Sequence, residues 1–123
     1  VRAKAQTACA TLSSDVTRYA ALPGSPDRYR ADAVDLENQA IDAFLADMRS
    51  LGDETLKGDH PAVYWLQDLE TVKGLRADGA VDLRTGREPT FVLPRQDDIP
   101  ISQRMGDLVA ECTPAVEILT RSP

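Results

Sequence analysis

A chain of 123 residues with 42% hydrophobic side chains has the size of one domain and enough apolar surface for a core, which excludes a disordered polymer. Its formal net charge of −6 argues against nucleic-acid backbones and anionic membranes as partners of the chain as a whole. With aromatics at only 5%, the core must be built from Leu, Val, Ile and Ala, and the stacking platforms that single-stranded nucleic acid needs are scarce.

The first helix is expected from about Arg2 to Leu22, with Ala5, Cys9, Leu12, Val16 and Tyr19 on its apolar face. Thr7, Ser13, Ser14, Asp15 and Arg18 fall largely outside that stripe. Leu22-Pro23-Gly24 ends it, since a residue before Pro disfavours helix and Gly admits left-handed turns. Ser25 as cap, Pro26 at the first position and Asp27 at the positive end of the dipole open the second helix. Val34, Leu36, Ala40, Ile41, Phe44, Leu45 and Met48 give it a wide apolar arc, so it should touch two or more neighbours. It should end at Leu51, with Gly52 as its C-terminal cap.

Residues 53–58 read as a polar connection with room for one short turn. Asp59-His60-Pro61 then opens a third helix through Val63, Trp65, Leu66, Leu69, Val72 and Leu75, stopped by Asp78-Gly79. Residues 80–100 break the helical pattern. Val81 and Leu83, then Phe91 and Leu93, fit a short hairpin across Thr85-Gly86 or an extended loop punctuated by Pro89, Pro94 and Pro100. The last helix starts near Asp98 or Ser102. Ile101, Met105, Leu108, Cys112, Ala115 and Leu119 form its stripe, with a kink or a fresh start expected at Thr113-Pro114. The expected fold is therefore mainly all-α. It is a four-helix up-down bundle in one domain over 1–123, with a long irregular or short β-hairpin insertion at about 80–100 between helices three and four.

The two cysteines are too far apart for a CxxC motif or a zinc site. Cys9 and Cys112 sit on the stripes of the terminal helices, which predicts a disulfide stapling those helices together. A loop of that length would stabilise by about 4–5 kcal/mol in the chain-entropy model and implies an oxidising, extracytoplasmic setting. No apolar run approaches a membrane span of about 18 residues. The chain begins with Val1 rather than Met, and a removed leader or a membrane anchor upstream of Val1 would fit that start.

Chemistry has little support in the sequence. His60 is the only histidine, and its place beside Pro61 at a helix start suits a structural or exposed role better than catalysis or haem ligation. Glycine-rich phosphate loops, nucleophile elbows and HExxH are all missing. Asp97-Asp98 complements a helix dipole, and Asp107 with Glu111 lies off the apolar stripe, so neither pair reads as a metal or acid–base site. Tyr64 and Trp65 read as rim and core. No metal or cofactor is expected, and an enzyme is the least supported class, with Asp59–His60 as its only candidate pair.

The most suggestive polar feature is an arginine group, Arg84, Arg87, Arg95 and Arg104, with Arg76 shortly before it. Guanidinium forks bind carboxylate and phosphate well, and loops often carry function. Asp82, Glu88, Asp97 and Asp98 are interleaved and can neutralise them. Arg outnumbers Lys by 11 to 3 and Ala and Asp are abundant, a composition resembling that of GC-rich bacterial genomes. With its terminal cysteines, the chain resembles in outline the small secreted helical proteins of GC-rich Gram-positive bacteria; no motif carries an activity across. The expected role is a non-enzymatic extracytoplasmic interaction module of a secreted or anchored bacterial protein, meeting a protein partner through residues 80–104. The alternative is a carrier of a small amphiphile, haem or lipid, held between the helices.

Overall fold

The computed structural model describes residues 2–58, 60–96, 99–100 and 109–123, with backbone only at 60, 61, 95, 96, 99 and 100. The chain is mainly helical: α1 (Arg2–Tyr19), α2 (Asp27–Arg49), the short α3 (Asp53–Lys57), α4 (His60–Arg84) and α5 (Thr113–Leu119). A 3-10 turn at Ala110–Cys112 leads into α5. Two very short strands, β1 (Arg95–Gln96) and β2 (Ile99–Pro100), pair antiparallel with Arg95 opposite Pro100 and Gln96 opposite Ile99.

Cys9 and Cys112 form a disulfide with their Cα atoms 4.7 Å apart, closing 103 positions of chain. Both cysteines are fully buried. One turn further along α1, the Ser13 hydroxyl donates to the Glu111 carbonyl at 2.7 Å and accepts from the Ala115 N–H at 3.2 Å. Helix α5 has no side-chain cap of its own, so Ser13 satisfies one of its orphan N–H groups from the neighbouring helix. Ser13 falls off the apolar stripe of the sequence, yet it is buried because α5 covers that flank of α1.

Helix α2 lies between α1 and α4, and α5 packs on α1. Ala5, Cys9, Leu12 and Val16 of α1 meet Ile41, Phe44, Leu45 and Met48 of α2, Trp65, Leu66, Leu69 and Val72 of α4, and Ala115 and Leu119 of α5 in one core. Phe44 and Trp65 meet edge-on with ring centroids 4.9 Å apart. A second, small cluster of Ala31, Val34, Ala80 and Leu83 joins the start of α2 to the end of α4. Ion pairs along this interface, Arg49–Glu70, Asp42–Lys73 and Asp32–Arg84, run in opposite sequence order, so the two helices are antiparallel.

Several boundaries differ from the sequence reading. Helix α1 ends at Tyr19, and Ser25 closes the following turn by donating to the Leu22 carbonyl at 2.6 Å instead of capping α2, whose N-cap is Pro26. Helix α4 runs through Asp78-Gly79 to Arg84, so Val81 and Leu83 are helical and no hairpin forms across Thr85-Gly86. Packing decides this: Ala80 and Leu83 reach Ala31 and Val34 only if the helix continues. The irregular stretch is correspondingly shorter than 80–100. Thr113-Pro114 does begin a fresh helix, with Pro114 in its first turn, where a missing N–H costs nothing. Ile101, Met105, Leu108, Asp59, Asp97, Asp98, Asp107 and Arg104 lie outside the described residues.

Candidate functional site

Of the four arginines singled out, the structure describes two side chains. Arg84 donates through Nη2 to Asp35 at 2.6 Å and to Asp32 at 2.9 Å. Those hydrogen bonds, to Asp35 first, hold its guanidinium above its ordinary pKa. Arg87 pairs with Asp82 at 3.2 Å. The chain's own acids therefore engage both, and the two are not brought to a common point. The side chain of Arg95 and all of Arg104 lie outside the described residues. Beside them, Val81 and Val92 are exposed, Phe91 is half-buried, and Leu93 packs against the main core.

The strongest polar centre lies elsewhere, between the two apolar clusters of the α2–α4 interface. Glu37 and Arg76 are each only 3% exposed. Arg76 Nη2 donates to Glu37 Oε1 at 2.8 Å, and Nη1 donates to the carbonyls of Arg121 at 3.1 Å and Leu119 at 3.3 Å. Its Nε–H is buried with no partner among the described residues. Burial raises the Glu37 pKa and lowers that of Arg76, each against the opposing pull of its partner. Desolvation of such a pair commonly outweighs its attraction.

The same arginine fastens the segment that follows α5. Arg30 Nη2 adds a 2.6 Å bond to the Pro123 carbonyl. Gly79 makes room for this segment: a Cβ there would stand 2.9 Å from Pro123 Cγ and 3.6 Å from Pro89 Cβ. Residues 119–123 thus lie strapped across α2 and α4.

Between this strap and the α1–α2 turn opens a cleft of about 330 Å³, lined by Leu22, Pro23, Gly24, Arg30, Val34, Ile118 and Arg121 together with the Glu37–Arg76 pair. Gly24 turns the chain at its mouth with φ +80°. Leu22 is 78% exposed and Tyr29 is 54% exposed. Arg18 stands 4.8 Å over the Tyr19 ring, and Arg28 stands 5.2 Å over the Tyr29 ring. A second cleft of about 450 Å³ lies where α2, α3 and α4 meet, with Leu56, Val63 and Leu66 flanked by Arg49, Lys57 and Glu70.

The signal for the buried pair was present in the sequence. Glu37 lies three residues after Val34 and four before Ile41, on the apolar arc of α2. Arg76 lies four after Val72 and four before Ala80, on that of α4. One charge of each sign on two facing apolar stripes is the mark of a buried ion pair.

No family model, curated protein or solved structure matches the chain. Among the described residues, no group of three or more His, Cys, Asp or Glu could hold a metal ion. Nor is any helix among them long and apolar enough to cross a membrane.

Proposed function

We propose that this chain is a non-enzymatic binding module of a secreted or membrane-anchored bacterial protein, working outside the cytoplasm on a protein partner. The buried Cys9–Cys112 disulfide supports the compartment, because such bonds persist where the medium is oxidising. In this reading the long helices and the closing C-terminal segment form a four-helix up-down bundle. The observation that carries the binding role is the surface around the α1–α2 turn, where Leu22 and Tyr29 stand exposed beside Arg18 and Arg28. Tyrosine and arginine are the residues that most often anchor protein interfaces. The 80–104 segment supplies a second contact. Among its described residues Val81 and Val92 are exposed apolar groups, and Arg84, Arg87, Arg95 and Arg104 are its cations.

The test is a photo-crosslinking residue placed singly at positions 22, 29, 92 and 47 in the organism of origin. A discrete adduct is expected from 22 and 29, and not from 47, where Asp47 is exposed on α2 far along the helix. Absence of any adduct at 22, 29 and 92 overturns the reading. Free thiols at Cys9 and Cys112 in native material overturn the compartment.

The alternative, a carrier of haem, lipid or another small amphiphile, is favoured by one observation, the apolar cleft over Leu56, Val63 and Leu66. Near-stoichiometric lipid or haem in organic extracts of the protein from its source would support it, and clean extracts would remove it.

A further inference from the structure

We propose that the cleft between the Leu22–Gly24 turn and the Leu119–Pro123 strap is a binding site for a small organic carboxylate with an apolar body. This goes beyond a protein-binding role and stands on the chemistry of the lining. In a chain of net charge −6, three guanidinium groups and one carboxylate line this cleft: Arg30, Arg76 and Arg121 against Glu37. Arg30 is already engaged, by the Pro123 carbonyl at 2.6 Å, Asp27 at 3.2 Å and Glu88 at 3.9 Å. Arg121 makes no ion pair among the described residues and is exposed, so its fork is open to a ligand.

Fastening the strap explains only part of Arg76. The strap takes the N–H groups of Nη1, and Glu37 takes one from Nη2. The buried Nε–H is left over, at a cost of about 1–3 kcal/mol for a donor without an acceptor. That donor is closed off from the cleft, so the acceptor oxygen of a ligand is met instead by the open fork of Arg121. Carboxylate oxygens fit the planar fork.

The rest of the lining selects the body of the ligand. Leu22 and Ile118 present aliphatic surface, and the volume of about 330 Å³ is at the small end of the range for small-molecule sites. Glu37 repels a second negative charge, which disfavours phosphate and dicarboxylates. The ligand that satisfies both halves carries a single carboxylate on an alkyl or similarly apolar frame. It is either a free short-chain acid or a longer molecule that presents such an end.

The experiment is a ¹H–¹⁵N NMR titration of the disulfide-bonded chain with hexanoate, hexan-1-ol and inorganic phosphate, and then with octanoate. Saturable shifts with hexanoate are expected at Leu22, Gly24, Val34 and Ile118–Ser122, with hexan-1-ol and phosphate each about tenfold weaker or worse. Octanoate separates the two sources: tighter binding than hexanoate points to a longer ligand presenting its end, and weaker binding to a free short acid filling the cleft. Arg121→Gln, at an exposed position, is expected to weaken hexanoate about tenfold while leaving the denaturation midpoint in place. Ala20→Trp, which fills the cleft from its rim, is expected to abolish the shifts. The proposal is overturned if hexanoate gives no saturable shift, if hexan-1-ol or phosphate binds as tightly, or if Arg121→Gln keeps full affinity.

Discussion

Glu37 and Arg76 are each almost wholly buried, and burial is the largest influence on both. It lifts Glu37 above its ordinary value of 4.5 in spite of Arg76, and it lowers Arg76 in spite of Glu37. A carboxyl raised on folding is neutral in both states at low pH. As pH rises through 4.5 the unfolded chain ionises first, and the folded state loses stability until its own higher pKa is passed. The stability of the natural chain relative to Glu37→Gln should therefore fall as pH rises through that window and then level off. Denaturant melts of both proteins across it measure the difference, and a difference that grows with pH would mean that the pairing with Arg76 outweighs burial. This residue was readable in principle, as a charge on an apolar arc. Its partner is harder to read, because Arg76 comes shortly before the arginine group of Arg84 and Arg87 in sequence while its own side chain is buried in the packing.

Among the elements, α5 shows how little a short helix can supply for itself. Seven residues with a proline in the first turn and no cap of their own are held by Ser13 of α1 and by the disulfide one turn away. Ser13→Ala is expected to cost about 1–2 kcal/mol, the loss of a cap and of a buried bond. Ser14→Ala, at the exposed neighbour, should change the denaturation midpoint little. The three long helices were visible in the sequence because their apolar spacing is regular. Their ends were less so. Asp78-Gly79 has the chemistry of a stop, yet α4 continues because Gly79 lies against Pro123 and Pro89, and Ala80 and Leu83 have a surface to bury on. Ser13 was hidden for the same reason: only the approach of a distant segment gives its hydroxyl two partners. Local patterns report the helices, while the cleft, the strap and the buried pair arise from contacts 39 or more positions apart.

At the scale of the whole molecule, the disulfide joins elements that the core already brings together. Replacing Cys9 and Cys112 by serine should cost about 4–5 kcal/mol in the chain-entropy model, plus the burial of two hydroxyls in apolar surroundings. Because both cysteines are fully buried, the native bond should resist dithiothreitol until the protein opens. Reduction followed by thiol alkylation should thus track global unfolding, and fast reduction in native buffer would contradict it. The placement of this bond also sets an order of events during synthesis. During synthesis α1 emerges before α2, which can cover one of its flanks soon afterwards. The flank holding Cys9 and Ser13 waits for residues 109–119. Until they arrive, α1 has an uncovered seam and an unpaired thiol, and closure depends on contacts of long sequence separation, which form slowly. Of the helices described, the earliest in the chain is thus the last to be sealed.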